Sequence, residues 1–348
     1  MLNTKINENY NANDIVNPND LRKRILNIDS RFRKDLSQST TDYTYVLEHT
    51  YKNIIRIKVS SIEIPNMIYT FTESNNTFKV KAYDILNIVR EVLIKIPVGN
   101  YSSFDLIAVI QSDLDIKLRN AYGIFFNISL DTASARVIIA HTGVSAYDSV
   151  TGYKVGADPK PEASAKPFIL EFNTCNRIHH FGLGYNLGYR KHCYKVTTLK
   201  KETLDTYVIK GECCMDVVGD TYMFLCLNDF HTIEHKTDMN YIQCLAKIII
   251  REDRYSVIYD DGSSLMSNEI VFPSPIDLKI LQVKLLDSYG TVVDLNCMDF
   301  SFSLEITEVL NTSLFDFYRN YLWLGSIPSI KKASGSQQGL LRGIGPPF

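Results

Sequence analysis

Alternation is the feature that most constrains this chain. From Asp42 onward, apolar residues recur at every second position in short runs. Tyr43, Tyr45 and Leu47 interleave with Thr44, Val46 and Glu48. Ile55, Ile57 and Val59 are followed by Ile62 and Ile64, and Phe300, Phe302, Leu304 and Ile306 alternate with Ser301, Ser303, Glu305 and Thr307. A period of two places alternate side chains on one face of a strand, so these runs predict half-buried β-strands. The 55–64 run slips by one residue at Ser60-Ser61, which is where a β-bulge would sit.

Further runs of this kind are TFKVKAY, FFNISL, ARVIIAH, PFILEF, KVTTL, TYVIK, TYMFLCL, YIQCLAKIII, YSVIYD, EIVF, IDLKILQVKLL and TVVDL. Asp261-Gly262 and Tyr289-Gly290 mark tight turns between strands. One segment has helical spacing. Leu106, Val109, Ile110, Leu114 and Leu118 fall three and four apart, Ser102 or Ser103 can cap the start, and Asp105 sits in the first turn. This predicts a helix over 103–119. More than a dozen short strands with one helix predict an all-β chain, a jelly-roll-type β-sandwich, rather than an alternating βαβ fold. The 21 Tyr and 17 Phe against a single Trp tilt the same way, toward pleated surfaces and contact faces.

The expected organisation is an N-terminal arm over 1–41, most extended and Asn-rich over 1–24. A sandwich region over 42–310 follows, as one sandwich or two packed together, and then a helix and tail over 311–348. Residues 142–166, rich in Gly, Pro, Ser and Lys, read as a surface loop. The last stretch combines Lys331, Lys332 and Arg342 with apolar Leu340, Leu341, Ile344 and Phe348, which suits an arm ordered by an acidic neighbouring subunit.

A formal net charge of −2 argues against a general nucleic-acid binder, which needs surplus Lys and Arg to displace phosphate counterions. No run of about 18 apolar residues is present to span a bilayer. The first twenty residues have no apolar signal-peptide core, and seven irregularly spaced cysteines fit synthesis in a reducing cytoplasm.

Motifs for chemistry are weak. The glycines of LGYNLGYRK (Gly182, Gly184, Gly188) allow close backbone approach or positive φ, with tyrosines filling the contact. A phosphate cradle there lacks the strand–loop–helix setting. Cys175, His179, His180, His192 and Cys193 cluster in sequence, with Cys213 and Cys214 beyond, but no CxxC is present and no metal or cofactor is expected. His231 and His235 lack the Glu of HExxH, and Asp260-Asp261-Gly262 reads as a hairpin turn before an acid–base pair. Asp29, Arg31 and Arg33 would form a charged strip at period two, either a solvated face or a docking strip against a neighbour.

Six segments in order carry a family likeness: RILNIDSRFR (24–33), SSIEIPN (60–66), IPVGNYSSFDLI (96–107), LGYNLGYRKHCY (183–194), YMFLCLNDF (222–230) and LLDSYGTVVDLNCMDFSFSLEI (285–306). Together they resemble capsid-associated proteins of nucleocytoplasmic large DNA viruses, across roughly residues 24 to 310. The second Gly-aromatic pair carries Tyr189 where the family pattern has Phe. The resemblance implies a non-enzymatic β-sandwich in the virion, a minor capsid or vertex protein that cements or caps the major capsid shell. Its partners would be the major capsid protein, other minor capsid proteins and further copies of itself. A host-binding β-sandwich module is the second reading, and a hydrolase on a β-scaffold the third.

Overall fold

The structure, a computed structural model, describes residues 20–147, 161–172, 182–200, 205–237, 241–262, 266–313 and 315–316. The chain forms two compact units, one from residues up to Ile68 and from Thr221 onward, the other Tyr69–Asp220. The first unit opens with β1 (Leu21–Asp29) and β2 (Asp42–Pro65). The second holds β3 (Thr77–Tyr83), β4 (Val89–Lys95), α1 (Ser103–Leu114), α2 (Asn120–Tyr122), β5 (Ile124–Asp131), β6 (Arg136–Val144), β7 (Phe168–Glu171), α3 (Leu183–Asn186), β8 (Cys193–Val196), β9 (Leu199–Lys200) and β10 (Thr206–Lys210). The chain then returns to the first unit for β11 (Tyr222–Leu227), β12 (Ile233–Lys236), β13 (Tyr241–Cys244), β14 (Ala246–Ile249), β15 (Val257–Asp260), β16 (Met266–Ser267), β17 (Ile270–Leu286) and β18 (Ser301–Val309). The architecture is mainly β, antiparallel and jelly-roll-like. Among the described residues no helix is long and apolar enough to cross a membrane.

In the first unit one sheet runs β1-β18-β2-β17-β11-β14-β16, with β15 also pairing β2. The 24-residue β2 is its spine. It pairs with β18 over 54–63, and on its other side with β17 and then β15. Its ladder with β18 shifts twice: Ser303 opposes Ser61 while Leu304 opposes Val59, and Thr307 opposes Arg56 while Glu308 opposes Ile54. Ser60 and Ile55 are the extra residues, so the slip in the sequence is a bulge, and the Ser60 hydroxyl donates to the Ser303 carbonyl at 3.2 Å. Each insertion flips the parity of the strand. Ile54, Ile57, Val59, Ile62 and Ile64 therefore all enter one core with Phe302, Leu304 and Ile306.

Unit boundaries fall elsewhere than the sequence suggests. Leu21–Asp29 is paired along its whole length with β18, so the described part of the arm expected over 1–41, from residue 20 on, holds a strand and a tethered loop, while 1–19 lie outside the described residues. At the other end Phe315 packs against Ile55 and Val309, past the expected limit at 310. EIVF and IDLKILQVKLL form one strand, β17, in which residues 272–275 are inserted opposite Ile55, with Phe272 packed against the core. YIQCLAKIII breaks in two where Leu245 turns into the core. TVVDL forms no strand and keeps one bridge, Val292 to Leu286.

The second unit closes two four-stranded sheets, β4-β3-β7-β8 and β5-β6-β10-β9, over a shared core. Phe78, Val80 and Leu170 from one sheet meet Phe126, Ile128 and Ile139 from the other. The expected helix starts as read: the Ser102 hydroxyl accepts from the Asp105 N–H at 3.1 Å and donates to its carboxylate at 2.6 Å. Leu106, Ile110, Leu114 and Leu118 are buried. It does not continue as an α-helix to 119, because Asp115–Arg119 widens to a π-turn before Gly123 ends it with φ 61°. A residue every fourth position drifts about 40° per step on an α-helix, and the wider turn returns Leu118 to the core face.

The polar side of α1 meets the open edges of both sheets. The Gln111 amide donates to the Phe126 carbonyl at 3.0 Å and accepts from the Ile128 N–H at 2.8 Å, as a neighbouring strand would on β5. On β4 the Lys95 N–H donates to Asp113 at 2.9 Å and the ammonium of Lys117 to the Leu93 carbonyl at 2.8 Å. Replacing Gln111 with Ala leaves the Phe126 and Ile128 backbone groups without partners. The variant is expected to lose about 1–3 kcal/mol in chemical denaturation. A change within error would show that the amide does not close this edge.

Candidate interaction surfaces

Segment 21–41 builds an exposed apolar feature of the first unit. The Ser30 N–H donates to the Phe300 carbonyl and the Leu310 N–H to that of Asp20, both at 2.9 Å, so even-numbered residues of β1 bond to β18. By alternation Leu21, Lys23, Ile25 and Asn27 direct their N–H and C=O groups to the open side. Among the described residues no strand pairs there. Ile25 is 68% exposed on the outer face, and Phe32 and Leu36 on the adjoining loop are each 70% exposed.

The charged strip expected from Asp29, Arg31 and Arg33 does not form. β1 ends at Asp29 and the backbone turns through a 3-10 turn at Ser30–Phe32, which ends the alternation. Asp29 is buried and accepts from the Arg31 N–H at 2.9 Å and from its guanidinium, which holds the carboxyl below its usual range. Arg33 turns inward. It donates to the carbonyls of Ser30 (2.8 Å), Gln38 (3.1 Å) and Leu36 (3.2 Å) and pairs with Asp299 at 3.1 Å. These bonds tie the 30–41 loop to the end of the sheet and hold Phe32 and Leu36 outward. The Arg31 side chain remains largely exposed. Lys331, Lys332, Leu340, Leu341, Arg342 and Phe348 lie outside the described residues.

A second exposed row stands beside β15, where Tyr255, Val257 and Tyr259 face outward while Ile258 enters the core. It sits next to Asp260-Asp261-Gly262, where the Asp260 carboxylate accepts from the Gly262 N–H at 2.8 Å in a local turn; this is no hairpin, because β15 pairs with β2 and β16 with β14.

The LGYNLGYRK segment is a packing device. Gly182 has ordinary extended backbone, but a Cβ on Gly184 would lie 2.3 Å from the Phe172 ring. Gly188 has φ +88°, and its Cβ would lie 2.2 Å from the Cys213 carbonyl. Tyr189 is fully buried, stacks on Phe172 at 5.0 Å and donates to the Val137 carbonyl at 3.3 Å, with burial pushing its phenol up. The Tyr194 hydroxyl donates to Glu212 at 2.8 Å and accepts from the N–H groups of Arg190 and Lys191. Burial first, and Glu212 second, raise that phenol to about 12. The one-turn α3 offers no phosphate cradle.

Cys175, His179 and His180 lie outside the described residues. Among those described, no three His, Cys, Asp or Glu side chains converge as metal ligands. His231 precedes and His235 lies on β12, a strand, so their four-residue spacing does not bring them onto one helical face.

Two buried polar centres of the second unit escape a reading by motifs. Asp84 is fully buried and accepts from the Ile88 N–H, Arg90 and the Tyr147 hydroxyl, each at 2.9 Å. His141 is also fully buried, stacked on Phe126 at 4.9 Å. Its Nδ1–H donates to the Lys166 carbonyl at 2.8 Å, and its Nε2 meets no hydrogen-bond partner among the described residues. Burial foremost, with the Lys166 charge adding, lowers its pKa to about 4.

No family model matches the chain. No curated protein sequence matches it either. Among solved structures, the mavirus penton protein is similar at 8% identity and a TM-score of 0.39, covering 82% of this chain and 98% of that one. A chain of the cryo-EM structure of the Sputnik virophage is similar at 10% identity and a TM-score of 0.36, covering the same shares. Likeness at this level carries no weight for function.

His141 gives a pH test. Its folded pKa of about 4 lies below the ordinary 6.5. Between those values the unfolded chain binds a proton that the folded chain refuses, so stability rises with pH through this window and is lost on acidification. The expected loss from pH 7 to 4 is about 3 kcal/mol from this group. His141→Asn, which keeps a donor for the Lys166 carbonyl, should flatten the pH dependence in urea denaturation. Equal slopes in the two proteins would remove His141 as the cause.

Proposed function

We propose that the chain is a structural component of the capsid of a large icosahedral DNA virus, a minor capsid or vertex (penton-like) protein. It meets the major capsid protein, other minor capsid proteins or further copies of itself through the open edge of β1. One observation carries this reading: β1 presents unpaired backbone groups beside exposed Ile25, Phe32 and Leu36. A long unpaired edge is a template for another strand, and natural proteins cover it unless it is used. In the second unit α1 covers β4 and β5; here no described element covers β1. The first of the six resembling segments, 24–33, includes most of this strand.

A host-binding surface module is the second reading, favoured by the exposed Tyr255–Val257–Tyr259 row, since aromatic rings are suited to stacking on sugars. Retention of Tyr255→Ala/Tyr259→Ala particles on host cells at the unaltered level would remove it.

Ile25→Pro tests the first reading. It deletes an N–H that points to the open side and leaves the bonds from β1 to β18 in place. The melting temperature of the purified chain should stay within about 2 °C, while incorporation into particles, read by quantitative immunoblot, should fall at least about tenfold, a loss of about 1.4 kcal/mol. Normal incorporation would sink the edge as the contact. Absence of the unaltered chain from purified particles would sink the capsid reading itself.

A further inference from the structure

The outer face of β11 carries a chemical pair that neither the capsid reading nor the sequence motifs use. Met223, Leu225 and Leu227 point into the main core, so Tyr222, Phe224 and Cys226 point the other way. The hairpin of β12 and β13 lies over that face and builds a second, small core from Phe224, Ile242 and Cys244, with Ile233 and Leu286 against it. Leu245 then dives into the main core, its N–H donating to the Leu225 carbonyl at 2.9 Å. That step sets Cys244, the residue before it, beside Cys226, the residue after Leu225. Cys226 packs against the small core that Cys244 helps to form, and the Cys244 thiol donates to the Ile233 carbonyl at 3.7 Å. Cys244 is fully buried, whereas Cys226 is half-buried. Lys284 on β17 stands directly opposite Cys226 in the ladder, and its ammonium also pairs with Asp42 at 3.2 Å.

The two sulfurs are not equivalent. The neighbouring Cys244 thiol foremost, with the Lys284 charge, favours ionisation of Cys226, while the neighbouring sulfur and burial push Cys244 up. A half-buried thiol with a cation beside it is the nucleophile of a pair, and a buried thiol in contact with it is the resolving partner. In a reducing cytoplasm both remain thiols and serve as apolar packing.

We propose that Cys226 and Cys244 form a redox pair that closes to a disulfide when the protein meets an oxidising disulfide, sealing the β12–β13 hairpin onto the large sheet. The Cys226 thiolate attacks one sulfur of a glutathione-type disulfide and displaces one glutathione thiolate. That thiolate takes the proton of Cys244. The Cys244 sulfur then attacks the Cys226 sulfur and releases the second glutathione, which is protonated from water by the proton Cys226 gave up. Two protein thiols are oxidised, one external disulfide is reduced to two thiols, and the protein is lighter by two hydrogens. The closed loop removes unfolded-state freedom, so the midpoint of thermal unfolding should rise by about 5 °C.

The test uses the full reduced chain incubated with oxidised glutathione, then alkylated and mapped by mass spectrometry without reductant. Exposed Cys193, Cys214 and Cys297 show through their own glutathione adducts that the oxidant acted. The expected product is one linked peptide pair containing Cys226 and Cys244. In Cys244→Ser, Cys226 should stop at the mixed disulfide with glutathione. Accumulation of that mixed disulfide in the unaltered chain would show that the second sulfur cannot reach, and would overturn the proposal. So would recovery of both cysteines as alkylated thiols while the exposed ones are modified, or a linked pair with no rise in the unfolding midpoint.

Discussion

The first unit depends on parity in β2. A strand with a strict period of two can keep one set of side chains inside only while it stays in one register. β2 is 24 residues long and serves partners on both sides, so it bends, and each bend costs a residue. Against β18, Ser60 and Ile55 are those residues, and the ladder with β17 shifts further between Val46 and Ile54. Without the insertion at Ser60, Ile62 and Ile64 would face out, at about 1.5–3 kcal/mol for each buried side chain. Losing both would remove a large part of the 5–15 kcal/mol that typically holds a domain together. A serine suits the site because the extra residue is half-exposed and its hydroxyl has the Ser303 carbonyl to bond.

The second constraint is the accounting of sheet edges. In the second unit one helix solves it for two sheets at once. Its apolar stripe fills the core while Gln111, Asp113 and Lys117 bond to backbone groups of β5 and β4. The stripe and the polar rim are the same helix read on two faces, and the π-turn keeps Leu118 in the stripe as the helix ends. β1 in the first unit has no such cover among the described residues. Lys23 is engaged with Glu305, and Arg22 and Arg24 with Glu308, so the charges that guard many edges are drawn toward the strand's own neighbour.

Much of this was legible in the sequence. The all-β class, the capped start of α1, its buried stripe and the bulge at Ser60-Ser61 all follow from local spacing, and local spacing survives folding. What failed had non-local causes. The alternation of RILNID is too short to outweigh the Asn-rich stretch before it, so β1 reads as an arm, and its partner β18 lies some 280 residues away in the chain. The period of Asp29, Arg31 and Arg33 assumes a strand that the 3-10 turn cuts short. EIVF and IDLKILQVKLL read as separate runs, yet β17 continues through Pro273 and Pro275 with a register shift. Nothing local in the sequence reports the carbonyl, guanidinium or phenol that awaits His141 and Asp84.

Ile25 shows why contact surfaces are the hardest part to read. In RILNID, Ile25, Leu26 and Ile28 are equally apolar, and period two permits either Leu26 with Ile28, or Ile25 alone, to face the core. Pairing with β18 decides, because Leu26 and Ile28 fall opposite Leu304 and Phe302, which are buried on the same face. Ile25 is left opposite Glu305, outside. An apolar residue that the fold itself does not bury, on a strand whose outer edge meets no other strand among the described residues, is visible only after every other apolar residue nearby has been assigned. The proposed interaction surface is therefore what remains of the hydrophobic pattern once the core has been filled.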